Sequence, residues 1–242
     1  LDPRRPAPVS SYVYPVNELV NVILRALSTF DPDTAVADAA GNFGYSFGTS
    51  GEDADVQYEI VYAAYGGSSR GDGATGTSTH AMNVRITPIE ILESEFPTRV
   101  EEFTVRPDSE GAGAHRGGFG LRRSYVLETD QQFTYRPKVS NVFPPRGVAG
   151  GQSPADPARC LVYHDGDVTR LPTIADPQHL DAGDRVVMDL PGGGGYGDPR
   201  DRDPAAVAQD LRDGFLSAER AREVYGVEPN GDDDTRSGPN ID

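Results

Sequence analysis

Lysine is almost missing from this sequence. Of 22 lysine and arginine residues only Lys138 is lysine, against 38 aspartates and glutamates and a net charge of -16 over 242 residues. That balance argues against nucleic acid or an anionic membrane surface as the main partner. A surface rich in aspartate and nearly free of lysine fits a salt-adapted protein. A GC-rich genome also pushes lysine toward arginine, and both readings stand. Cysteine is reduced to Cys160, so no disulfide forms within the chain and a reducing, cytoplasmic setting is the simpler expectation. In "ARCLVYHDGD" Cys160 shares a strand face with Val162 and reads as a buried structural residue rather than a nucleophile. No run of about 18 apolar residues occurs, so no membrane-spanning helix is expected. The opening "LDPRRPAPVS" has neither the apolar core of a signal peptide nor an initiating methionine. Processing, trimming, or a separate subunit derived from a longer ancestor would each give such a start.

Histidine is also scarce: only His80, His115, His164 and His179 are present. No two stand at metal-motif spacing such as i, i+4 on a helix, so a metal site wholly inside this chain is not expected. A Walker-type phosphate loop is excluded as well. The glycine run of "PGGGGYGDP" (191–199) is followed by Tyr196, where such a loop needs lysine.

What is present reads as a β-dominated α+β body. "NELVNVILRALSTF" (17–30) places Leu19, Val20, Ile23, Leu24 and Leu27 at helical spacing, with Asn17 as a cap. "VQYEIVY" (56–62) alternates Val56, Tyr58, Ile60 and Tyr62 as a strand. "TPIEILESEF" reads as a short helix capped by Thr87, Pro88 and Glu90, followed by a strand through Val100, Phe103 and Val105. "GLRRSYVLETD", "QFTYRPKV", "RCLVYHDGDVTRL" and "DRVVMDL" supply further strands, with a hairpin-like "DGD" at 165–167. Two short helices, about 204–213 and 217–225, close the fold, with Gly214 and Gly226 at their ends. Residues 228–242 are polar and acidic and are expected to be a disordered tail, leaving 1–227 as the folded body.

Two glycine-rich stretches and one irregular loop are the candidate sites. "PGGGGYGDP" joins a strand to a helix, and four residues without Cβ suit a crowded junction or the edge of a ligand. "RPDSEGAGAHRGGFGLRR" (106–123) could form an anion nest beside Arg116, or could let two strands approach closely. "GDGATGTSTHAMNVRITPIE" (71–90) crowds Asp72, Thr79, His80, Asn83 and Glu90 into a mostly irregular stretch. Such loops beside rigid strands often carry function, although a network satisfying buried backbone groups is the competing reading. His80 and Glu90 are the candidate acid or base; Asn83, Arg85 and Arg116 are candidates to hold a carboxylate or phosphorylated intermediate.

Taken together, "NVRITPIEILESEFPTRVEEFTVRPDSEGAGAHRGGFGLRRSY", "PGGGGYGDP" and "DLRDGFLSAERAREVYGV" resemble the C-terminal half of the hydantoinase B/oxoprolinase family. The resemblance runs from about Arg4 to Val227 in the family's order and spacing. It implies the B-type component of an ATP-dependent complex, part of a larger multi-subunit assembly. An A-type, ATPase-like partner would bind ATP and Mg, and the divalent metal ligands would lie in the family's N-terminal half, here a separate chain or a missing part. No metal ligand is carried over to this sequence. The reaction implied is hydrolysis of a cyclic amide of the hydantoin, 5-oxoproline or lactam class. Carboxylation of a ketone such as acetone or acetophenone, and a non-catalytic scaffold role, are the alternatives.

Overall fold

The computed structural model describes residues 13–52, 54–80, 82–136, 143–173 and 175–229. Among them, antiparallel strands form two sheets. The first has the order β2-β1-β5-β8, built from β1 (Asn42–Gly48), β2 (Val56–Tyr62), β5 (Gln131–Arg136) and β8 (Gln178–Leu180). The second has the order β3-β4-β9-β6-β7, built from β3 (Thr98–Val105), β4 (Leu121–Leu127), β6 (Arg159–His164), β7 (Asp167–Arg170) and β9 (Arg185–Asp189). The sheets share one core. Phe43, Tyr45, Phe47 and Phe133 of the first meet Tyr125, Cys160, Val162 and Met188 of the second, and the rings of Phe47 and Tyr125 lie 5.3 Å apart.

The α+β reading holds, and several elements fall where the sequence places them. The β6–β7 hairpin turns on Asp165 and Gly166, whose φ values of 49° and 83° are both positive. This is the mirror-image turn that suits the twist of a two-residue hairpin. At the C-terminal end, Asp203 caps α3 (Pro204–Arg212) by accepting from the Ala205 N–H at 2.9 Å. Ser217 caps α4, which runs over Ala218–Arg220 and widens into a π turn at Ala221–Tyr225. Gly214 and Gly226 close the two helices in the left-handed conformation. Val207, Leu211, Leu216 and Tyr225 bury against Phe119 and Ala112 of the glycine-rich stretch.

Other elements depart from the sequence pattern. The aromatic-glycine stretch at 42–48 is a central strand, β1, between β2 and β5. Its Phe43, Tyr45 and Phe47 alternate into the core and outweigh the poor strand propensity of its glycines. His179 lies on the short edge strand β8 rather than in a loop. The helix α2 (Ile89–Glu95) starts one residue beyond Pro88, which caps it without any side-chain bond, so Thr87 does not serve as the cap. The expected strand "QFTYRPKV" is described as far as Arg136, and its last three residues, with the expected tail from 230 onward, lie outside the described residues.

Two elements are turned inside out. Helix α1 (Val13–Ser28) contains Asn17 within its span and points Asn17 and Asn21 inward, leaving Leu19, Ile23 and Leu27 about half exposed. In β2 the apolar Val56 and Tyr58 face outward while Gln57 and Glu59 are buried. The reason for the second inversion is a buried charge pair. Arg123 of β4 is fully buried, and its Nη2 lies 3.2 Å from Glu59 Oε2. The Tyr45 hydroxyl donates to the same carboxylate at 3.0 Å, and that of Tyr125 also donates to it.

The run Pro191–Gly195 is the buried keystone between the sheets and the C-terminal helices. Its successive N–H groups bond to three separate segments, two of them to the stretch 106–123. Gly192 donates to Ser109, Gly193 to Gly118, Gly194 to Asp38 and Gly195 to Gln152, each at 2.9 Å. A β-strand would alternate between two sides; this spread to several sides fits an extended, three-fold backbone instead. A Cβ added at Gly193 would fall on the Tyr65 carbonyl, at Gly194 on that of Arg146, and at Gly195 on that of Ala112. The run is a structural corner, and it packs on this chain's own loops rather than on another component. The second glycine cluster is its counterpart: Gly111 and Gly117 meet the backbone of Gly193, and Gly118 meets that of Ala74. Close approach of backbones accounts for these glycines.

Candidate functional site

The polar floor beneath α1 is the most chemically organised part of the described surface. Its construction starts with Asn21. The Asn21 Oδ1 accepts the Ala39 N–H at 3.0 Å, and its Nδ2 donates to the Ala39 carbonyl at 3.4 Å. Those two bonds set the amide's orientation. His80 Nε2 lies 2.7 Å from the same Oδ1. Because that oxygen only accepts, Nε2 carries the hydrogen in this contact. The backbone of His80 is held in the left-handed region, with φ 53°. Its N–H donates to the Tyr65 hydroxyl at 2.6 Å, and the Tyr65 ring stands edge-on 5.5 Å from the imidazole. A non-glycine residue held at positive φ by such contacts is a feature often found at functional positions.

Asp38 lies next to Ala39 along the chain. Burial raises its carboxyl above the usual range, and this effect outweighs the opposing pull of Arg25, at 3.3 Å, and of the Arg146 N–H, at 3.2 Å. One Asp38 oxygen and both polar atoms of the buried Asn17 have no hydrogen-bond partner among the described residues. Such buried, unsatisfied groups are costly unless something fills the space beside them. Asp38 and Asn21 line a cleft of about 180 Å³ together with Arg25, Phe143, Pro144 and Arg146, whereas Asn17 and His80 are not on its walls. The cleft offers a carboxyl group with raised proton affinity and the Asn21 amide, and His80 is joined to it through Asn21.

Asn83 and Arg85 lie in a second cleft, of about 440 Å³, with Tyr62, Thr77, Met82 and Phe103 among its other walls. Both residues are exposed. Glu90 is exposed on the first turn of α2 and lines neither cleft. Arg116 has a different place. Its guanidinium forks onto Asp210 at 2.9 and 3.0 Å, and Arg202 ties the same Asp210, at 2.9 Å, to Asp72. This four-member network fastens the loop at 72 and the second glycine cluster to α3, so the guanidinium of Arg116 is already engaged. The structure therefore brings His80 to Asn21 and groups Asn83 with Arg85, and it sets Glu90 and Arg116 apart. Asn21, Asp38 and Tyr65 were not singled out from sequence, and Asn17 was read only as a helix cap. One signal for them existed: Asn17 and Asn21 stand one turn apart in a helix otherwise rich in apolar residues.

Among the described residues no group of three His, Cys, Asp or Glu side chains converges as a metal site. Cys160 is buried in the core, and burial pushes its thiol far up, away from nucleophilic use. No helix among the described residues is long and apolar enough to cross a membrane.

This two-sheet α+β body, locked by a glycine corner, has counterparts among solved structures. Aligned with the crystal structure of the ATP-dependent caprolactamase from Pseudomonas jessenii, it gives a TM-score of 0.80 at 27% identity, over 95% of this chain and 42% of that one. The chain belongs to the Hydantoinase B/oxoprolinase family, whose model matches residues 1–199. The protein MJ0963 of Methanocaldococcus jannaschii is 34% identical over 239 residues, or 94% of this chain and 40% of that protein. A nucleotide-free acetone carboxylase shares the fold, with a TM-score of 0.69 at 20% identity over 86% of this chain and 32% of that one. The chain thus spans about two fifths of the length of MJ0963 and of the caprolactamase chain.

Proposed function

We propose that this chain is part of the B-type component of an ATP-dependent complex that hydrolyses a cyclic amide of the hydantoin, 5-oxoproline or lactam class. The observation that carries this reading is the match over 95% of the chain to an ATP-dependent caprolactamase. ATP with Mg belongs on an A-type partner, in keeping with the absence of a phosphate-loop lysine after the glycine run. Within this chain the acid or base is His80, with Asn21 accepting from its Nε2 and Asp38 supplying a second proton-holding group. Asn83 and Arg85, at the wider cleft, suit recognition of a substrate carboxylate or a phosphorylated intermediate. Glu90 is the second candidate base. A substrate role for Arg116 has no support, because Asp210 already occupies its guanidinium.

The test is turnover by the assembled complex with ATP and a panel of lactams, hydantoins and 5-oxoproline. His80→Ala is expected to lower kcat by about 10² to 10⁴, the usual worth of a positioned acid or base, with assembly intact. Unchanged turnover in the assembled variant removes His80 from the chemistry, and the same comparison with Glu90→Gln decides on Glu90. ATP-dependent fixation of bicarbonate onto acetone or acetophenone, with no amide hydrolysis, would replace the hydrolase reading by a carboxylase one.

A further inference from the structure

The outward face of α1 has the spacing of a helix-packing seam. Val16, Leu19, Ile23 and Ala26 follow a three-four-three pattern, Val22 and Leu27 flank it, and Phe30 extends it in the turn just past the helix end at Ser28. Leu19 is 57% exposed, Val22 50% and Phe30 86%, while the inward face carries asparagines. Apolar side chains clustered in this way on one helix mark an interaction site, because leaving them in water forgoes the burial that ordinarily stabilises a helix. The helical seam from Val16 to Leu27 is about 16 Å long at 1.5 Å per residue, enough for about three turns of a second helix.

We propose that this face of α1 docks a helix contributed by that part of a Hydantoinase B-type polypeptide lying outside the span matched here. The inference rests on the B-type reading for the identity of the partner. Two observations select this occupant over others. MJ0963 and the caprolactamase chain each carry well over half of their length beyond the region shared with this chain, so the family possesses the polypeptide needed to cover the seam. A second copy of this chain is disfavoured by the mutual repulsion of two bodies that each carry a net charge of -16. A helical occupant follows from the three-four spacing, which matches knobs-into-holes packing rather than a strand or an extended peptide.

The test places a photo-crosslinking benzoylphenylalanine at position 19 of the full chain, expressed in its own host. A second version carries the label at the exposed Asp167 of β7 as a control. After irradiation, the attached peptide is sequenced. The expected adduct at position 19, absent at 167, is a peptide of Hydantoinase B-type sequence from outside the matched span. An adduct with α1 of a second copy, with an ATPase-like chain, or with no protein would overturn the proposal. In parallel, Leu19→Asp combined with Ile23→Asp is expected to leave circular dichroism and melting of the isolated chain unchanged, since both side chains are already exposed. The same pair should abolish the adduct from a label at position 27; its persistence would also overturn the proposal. The crosslink is read by sequence and not by activity. A complex that gives the adduct but hydrolyses no cyclic amide would defeat the functional reading alone, and an active complex without the adduct would defeat the docking alone.

Discussion

Gly193 sits where no other residue fits. Its N–H bonds to Gly118, its carbonyl accepts from Gly111 at 2.8 Å, and a Cβ would fall on the carbonyl of Tyr65. Neither neighbour is a flexible side chain that could swing aside. Gly193→Ala is therefore expected to cost about 3 kcal/mol or to prevent folding, as overpacking against rigid backbone does. Gly166 provides the contrast, because it needs only its positive φ and a Cβ there meets nothing. Gly166→Ala should cost about 1 kcal/mol, the ordinary penalty for a left-handed alanine. Chemical denaturation of both variants checks the difference, and equal losses would contradict the packing argument. The same scale shows what could be read in advance at the candidate site. His80 stood out from sequence because the loop around it is polar and irregular. Its partner Asn21 lies 59 residues away, and such a pairing has no local signature.

At the scale of elements, β2 and α1 carry the main lesson. Their apolar periodicities identified a strand and a helix, and both elements are present. The face that is buried was misread in each, because periodicity reports that two faces differ and burial depends on what lies opposite. For β2 the opposing element is β4, whose Arg123 needs a carboxylate in a place shielded from water. The Glu59–Arg123 pair gives a prediction. Glu59→Leu should destabilise the fold by about 3 to 5 kcal/mol, since it leaves a buried guanidinium without its carboxylate. Glu59→Leu with Arg123→Met should recover much of that loss, because the desolvation of the charge disappears with it. A double variant as unstable as the single one would show that Arg123 acts through packing over Phe103, 5.0 Å from its guanidinium, more than through charge. The strand β1 was missed for a related reason. Its glycines resemble a loop, and only the stacking of its three aromatics against the second sheet makes it a strand.

For the whole molecule the dominant quantity is the net charge of -16. Self-repulsion on this scale opposes the compact state, and salt weakens it as the Debye length falls from about 10 Å at 0.1 M to about 3 Å at 1 M. The melting temperature is expected to rise over that range of sodium chloride. A flat or falling curve would remove the salt-adapted reading of the lysine-poor composition and leave genome composition as its cause. Composition, charge, the single cysteine, the capped C-terminal helices and the hairpin at Asp165–Gly166 were determined by the sequence alone, because each depends on a residue's own chemistry or on neighbours a few positions away. The family resemblance was legible too, since it lies in the order and spacing of motifs. Only the tertiary structure decided that the four glycines at 192–195 form the meeting point of three distant backbone segments, that Arg116 belongs to Asp210, and that Asn21 joins His80. Those outcomes depend on which segments, far apart in the chain, are pressed together, and hydrogen bonding and excluded volume act on the folded neighbours rather than on the sequence ones.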